Sequence, residues 1–165
     1  GARGALPRRR CACPPGAVRR SHARPSGPLR DRIDIQLVVA PVRGADLRHR
    51  SLFRGETEAA RARVQAARAV QAERAAARGI ASVNARLTPA ELERTAALDP
   101  LLRRRLASAM ETLGLSARGF HRTWRLARTL ADLAGQGAIR PLDLDEALQL
   151  RREGADRTAE PAAAG

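Results

Sequence analysis

The chain has 165 residues and carries 31 Lys+Arg against 17 Asp+Glu, for a formal net charge of +14 and a pI near 11.7. Every one of those basic residues is arginine, so a P-loop, G-x-x-x-x-G-K-[ST] with its lysine on the β/γ-phosphates, is excluded from this chain. Aromatic residues make up only 2%, which argues against a base-stacking platform for single strands, but guanidinium groups attract phosphate, so nucleotide or nucleic acid is the expected acidic partner.

In chain order, residues 1–26 combine Arg, Pro and Gly with few apolar side chains and are expected to be disordered. They hold Cys11-Ala12-Cys13-Pro14. Two thiolates leave a tetrahedral zinc site half empty, so the pair reads as free thiols in a reducing compartment and no metal site is assigned. The chain opens on Gly1, and its single methionine is Met110; the expectation is a piece of a longer polypeptide. Residues 1–10 lack the apolar core of a signal peptide, and no run approaches the roughly 18 apolar residues of a membrane span. A cytoplasmic protein without membrane contact is expected.

Gly27-Pro28 breaks the preceding segment. Ile33, Ile35, Leu37 and Val39 then alternate with Asp34, Gln36 and Val38, the period-2 pattern of a strand. It is the one convincing strand in the sequence, so it reads as the last strand of a sheet whose other strands lie elsewhere. Arg32 sits in the loop that enters it. Ala40 to Arg54, with Pro41 and Gly44, reads as a connection.

Everything downstream predicts helix. Glu56 to Arg78 is Ala/Arg/Glu/Gln-rich without Gly or Pro and is stopped by Gly79. Its Arg61, Arg63, Arg68 and Arg74 form either a solvated face or an arginine comb on DNA phosphate. Thr88-Pro89-Ala90-Glu91 is a capping box opening a short helix to about Ala97. Asp99-Pro100 starts another, with Leu102, Leu106, Ala109/Met110 and Leu113 on one face and Gly114 as its stop. Ser116 caps a helix over 117–134 with Phe120, Trp124, Ala127 and Ala131 on one stripe, flanked by Leu126, Leu130 and Leu133. Arg118 falls in its first turn, where the helix dipole disfavours a cation; it either reaches into solvent or is held by an anion such as phosphate. A last helix over 141–150 should pack Leu142, Leu144/Asp145 and Leu148, and residues 152–165 read as a disordered tail. Leu142 to Glu146 superficially suggests a Walker B strand, but Pro141 before it and the acids in a first turn fit a helix better. His22, His49 and His121 have no spacing for metal or triad chemistry.

The motifs Ser26-Gly27-Pro28-Leu29-x-Asp31-Arg32-Ile33-Asp34, Gly55-Glu56-Thr57, Asn84-Ala85-x-Leu87, Leu113-Gly114-Leu115-Ser116-Ala117-Arg118, Arg125-x-Ala127-Arg128-Thr129-x-Ala131-Asp132-Leu133 and Glu146-Ala147-Leu148-Gln149 occur here in one order. Together they resemble the C-terminal portion of the magnesium-chelatase-like AAA+ ATPases, in particular the ComM/YifB group, over roughly residues 11–151. The resemblance implies a mainly α fold. Residues 27–42 would form the terminal β-strand of an α/β core, with its arginine-finger loop, and residues 43–151 a helical lid domain. It implies that Arg32 is an arginine finger acting in trans on a neighbour's γ-phosphate and that Arg118 is the sensor-2 arginine. It further implies ATP and Mg2+ in the full-length protein, a homo-hexameric ring, and DNA remodelling or branch migration as the work done, with metal insertion as the role of other relatives. The family carries two cysteine pairs where only Cys11 and Cys13 stand here. The alternatives are a non-enzymatic, Arg-rich helical module for nucleic acid, in which many arginines contribute equally, and a remnant without function.

Overall fold

Five α-helices follow one another between Glu56 and Ala159 in the computed structural model, which describes residues 14, 16–17, 32–37, 55–80 and 83–159. Apart from residues 14 and 16–17, where the Ala17 amide donates to the Pro14 carbonyl at 2.9 Å, the expectations for the flanking segments, namely disorder over 1–26, the Cys11/Cys13 pair, His22, His49, the loop to Arg54 and the last six residues of the tail, lie outside the described residues. No helix among the described residues is long and apolar enough to cross a membrane.

Helix α1 (Glu56–Arg78) has Glu56 and Glu58 in its first turn, where the dipole favours them, and ends at Gly79, whose φ of 60° lies in the left-handed region. It buries Ala67, Gln71 and Ala75, one residue per turn, and leaves Val64 and Val70 half-exposed. Docking is therefore shallow. A 3-10 turn, Asn84–Arg86, leads to Leu87, which is buried.

The short α2 (Pro89–Thr95) begins with the expected capping box. The Thr88 hydroxyl accepts from the Glu91 amide at 3.3 Å, and the Glu91 carboxylate accepts from the Thr88 amide at 2.6 Å. At the start of α3 (Pro100–Leu113), the Asp99 carboxylate accepts from the amides of Leu101 and Leu102, both at 2.8 Å. Gly114, at φ 61°, ends it.

The organising element is α4 (Ala117–Leu133), which packs against each of the other four helices and the 3-10 turn. Trp124, Ala127 and Ala131 are buried along its stripe, with Leu126 beside them, and Phe120 is partly buried against the same core. The Trp124 indole donates to the Ala96 carbonyl at 2.7 Å and meets Phe120 edge-on, so its polar atom is satisfied inside an apolar site. Burial of a side chain of that size stabilises by roughly 1.5–3 kcal/mol. Leu92, Leu98, Leu102, Leu106, Ile139, Leu144 and Leu148 complete the core.

The expected strand is not shown, and two further expectations are corrected. Residues 32–37, expected to begin a strand, form an irregular segment with a turn at Arg32 and a bend at Asp34, and no strand occurs among the described residues. A strand needs a neighbour's backbone for its ladder, whereas the described segment bonds to a helix instead, Gln36 N–H to the Leu150 carbonyl at 2.9 Å. Helix α5 (Pro141–Ala159) continues nine residues beyond Leu150, running through Gly154, which a helix interior tolerates at a cost of about 1 kcal/mol, with no proline before Pro161 to break it. At its start Leu142 is exposed and Asp143 buried. The Asp143 carboxylate accepts from the Arg140 amide at 2.8 Å and from its guanidinium, so the first acid of the turn caps the helix and Leu142 is rotated outward.

Candidate functional site

The N-terminal turn of α4 is closed by Ser116, whose hydroxyl accepts from the Gly119 amide at 3.1 Å. Arg118, two residues after this cap, is exposed. Gly119 beside it is buried. A Cβ placed there would come within 3.3 Å of the Leu115 Cβ and 3.5 Å of a terminal nitrogen of Arg151. Glycine thus admits the buried Arg151, which crosses from α5 under the first turn that presents Arg118.

One turn further along the same face stands Arg122, since residues four apart in a helix are stacked neighbours. Its Nη1 donates to the Arg32 carbonyl at 2.5 Å and to the Asp34 carboxylate at 2.6 Å. The segment carrying Arg32 is thereby fastened to the helix carrying Arg118, while the Arg32 side chain itself remains exposed. Arg125 follows, with its Nε donating to the Leu87 carbonyl at 2.7 Å. Burial lowers its pKa, the neighbouring Arg122 charge acts in the same direction, and Asp34 opposes both. A groove of about 190 Å³ runs between the segment and α4, lined by Asp34, Ile35, Ala85, Arg122, Arg125, Leu126 and Thr129.

Behind this face lies a buried polar network centred on Asp132, whose side chain is fully inaccessible. One carboxylate oxygen accepts from Gln71 at 3.2 Å, Arg74 at 3.2 Å and Asn84 at 2.7 Å. The other is paired with Arg74 and with Arg128, whose Nη2 lies at 2.8 Å. Arg128 also donates to the carbonyls of Gln136 and Gly137 at 2.5 and 2.9 Å, which fixes the turn after α4. Burial alone would raise the Asp132 pKa. The bonds from Arg74 and Asn84 and the charges of Arg128 and Arg74 prevail and hold it below the ordinary carboxylate value. Burial likewise lowers the pKa of the Arg128 guanidinium, against the pull of Asp132.

Of the residues singled out in the sequence, Arg32 and Arg118 are both exposed and are linked through Arg122. Arg61, Arg63 and Arg68 are exposed on α1, but Arg74 is not: it turns inward to Asp132, which corrects both its solvated and its DNA-facing readings. His121 stacks on Trp124, and its Nδ1 lies 2.9 Å from the Ala117 carbonyl. Among the described residues no group of three or more His, Cys, Asp or Glu side chains could hold a metal. Arg122 and the Asp132 network were not given roles by sequence reasoning. The available signals were the four-residue spacings Arg118–Arg122 and Arg128–Asp132, and the acid Asp34 two residues after Arg32.

Several known proteins are similar to the chain. It is 37% identical over 138 residues to the competence protein ComM of Haemophilus influenzae, covering 83% of this chain and 26% of that protein. It is 34% identical over 158 residues to uncharacterized proteins of Mycobacterium bovis and Mycobacterium tuberculosis, covering 89% of this chain and 29% of each. The chain thus spans less than a third of the length of these relatives. Residues 54–151, which include α1 to α4, the first part of α5 and the whole Asp132 network, match the family model described as magnesium chelatase, subunit ChlI C-terminal, and the chain belongs to that family as a C-terminal portion of its ComM-like group.

Proposed function

We propose that the chain is the lid and arginine-finger portion of a magnesium-chelatase-like AAA+ ATPase of ComM type, with residues 27–42 completing an α/β core whose other strands belong to the rest of the polypeptide. The observation that carries this reading is that two exposed arginines, Arg118 on the first turn of α4, inside the stretch that matches the family, and Arg32 on the segment fastened to that helix, stand on one framework. Arg118 serves as sensor-2 toward the γ-phosphate of its own subunit, and Arg32 as the finger toward that of a neighbour in a homo-hexamer. Phosphoryl transfer spreads negative charge over the γ-oxygens, and a planar guanidinium opposes it with paired, charge-assisted hydrogen bonds. ATP and Mg2+ bind at a P-loop outside this chain, and the ring remodels DNA, as in branch migration, in the cytoplasm. A second reading, a non-enzymatic Arg-rich nucleic-acid module, draws on the net charge of +14.

The test is to isolate the native polypeptide, sequence it upstream of Gly1 and assay ATP turnover. A lysine-bearing P-loop is expected there. Arg32→Ala should lower kcat on the order of 10³-fold, the effect of a missing finger, with the helical circular dichroism unchanged. Subunits with intact Arg32 mixed into the ring should restore part of the rate. A native chain without a P-loop, or full turnover in Arg32→Ala and Arg118→Ala, overturns the reading.

A further inference from the structure

The segment around Arg32 has little apolar reason to lie where it does. Ile33, Ile35 and Leu37 are 41%, 47% and 63% exposed, and the groove of about 190 Å³ separates the segment from Leu126 and Thr129. What holds it is polar. Among the described residues it makes three hydrogen bonds to the helices, and a single nitrogen of Arg122 supplies two of them, to the Arg32 carbonyl and the Asp34 carboxylate. The third is the Gln36 amide on the Leu150 carbonyl of α5. Arg125 adds its charge beside Asp34 without replacing that contact.

We propose that Arg122 is a positioning residue, a clasp that ties the placement of Arg32 to the orientation of α4. The inference rests on the reading of Arg32 and Arg118 as finger and sensor. Arg122 stands one turn from Arg118 on the same face, so any tilt of α4 as Arg118 engages or releases a phosphate moves the Arg122 guanidinium. The Arg32 backbone moves with it, because the bond is to the carbonyl of Arg32 itself. A finger held by charge-assisted bonds on a half-exposed segment is fixed in direction yet free to let go, which packing into the core would not allow. The state of one nucleotide site is thereby transmitted to the arginine that serves the next.

Two measurements test this. In the 165-residue chain, backbone order parameters from nitrogen-15 relaxation should be near the rigid value of about 0.85 at Ile33 and Ile35. In Arg122→Gln they should fall below about 0.6 while the amides of α4 stay unchanged. Arg122→Lys, which keeps the charge and one donor nitrogen but not the rigid guanidinium plane that aims it, should lie between. A segment already mobile in the wild type, or unmoved in Arg122→Gln, overturns the clasp. In the full-length polypeptide Arg122→Gln should lower kcat about tenfold with the KM for ATP unchanged, Arg122→Lys should recover part, and Arg122→Gln should cost nothing further once Arg32 is alanine. Additive losses overturn the coupling. If Arg32→Ala alone leaves kcat intact, it is the finger reading that fails and the link to turnover falls with it, whereas the relaxation data still decide whether Arg122 holds the segment.

Discussion

Asp132 is the residue on which the helical body converges. Its carboxylate receives Gln71 and Arg74 from α1, Asn84 from the 3-10 turn and Arg128 from its own helix, so three elements are tied at one buried point. A buried ion pair is costly to form and more costly to break, since removing one partner strands the other charge without water. Asp132→Asn keeps the shape and removes the charge, leaving the Arg74 and Arg128 guanidiniums facing each other across a neutral amide. It is expected to cost about 3–5 kcal/mol in urea unfolding at pH 7. The folded-state pKa of Asp132 is depressed, so its contribution is fully present above the unfolded value of about 3.9 and is lost as the pH falls through the folded value. The gap between wild type and Asp132→Asn should therefore close on acidification. A gap that stays constant down to the acid limit would show that shape, and not charge, ties these elements together.

At the scale of the element, helix starts are decided locally. Thr88 and Glu91 close a reciprocal box around the first turn of α2, a helix of only seven residues that cannot persist on propensity alone. Thr88→Ala should cost about 1 kcal/mol, which for a body of this size lowers the midpoint of thermal unfolding by about 4–8 °C; an unchanged midpoint would mean that Leu92 and Ala96, both buried, hold α2 without its cap. The same locality explains what could be read from the chain. Caps and glycine stops placed α1 to α4 closely, because Thr88, Asp99, Ser116, Gly79 and Gly114 act within a turn of themselves. The polar interior was not legible in this way. Gln71 and Asp132 are 61 positions apart, and nothing near Arg74 in the sequence distinguishes it from the exposed Arg68. The motif residues Asn84, Arg128 and Asp132 carried the family resemblance, while their task as the internal tie emerged only once the helices were packed. Arg32 and Arg118 were legible as motif positions, but the link between them through Arg122 depends on a tertiary contact across 88 to 90 residues.

Over the whole molecule the charge excess is unevenly used. Arg74, Arg103, Arg105, Arg122, Arg128 and Arg140 are committed to carboxylates, whereas Arg61, Arg63, Arg86, Arg94, Arg104 and Arg118 are exposed on several separate elements. Charge spread in this way attracts any polyanion and favours no base sequence, and each phosphate contact releases counterions. The chain is therefore expected to bind duplex DNA weakly, with log K falling linearly against log salt. Arg61→Ala, Arg63→Ala and Arg118→Ala should each weaken fluorescence-anisotropy binding by a similar small factor, because on the proposed reading Arg118 is one cation among many for DNA and a dedicated ligand only for a γ-phosphate. The comparison separates the two readings of the molecule. On the ATPase reading, Arg118→Ala should abolish turnover and barely affect DNA binding. If it instead cost far more DNA affinity than Arg61→Ala or Arg63→Ala, Arg118 would be a nucleic-acid contact, and the first turn of α4 would belong to the DNA interface and not to a nucleotide site.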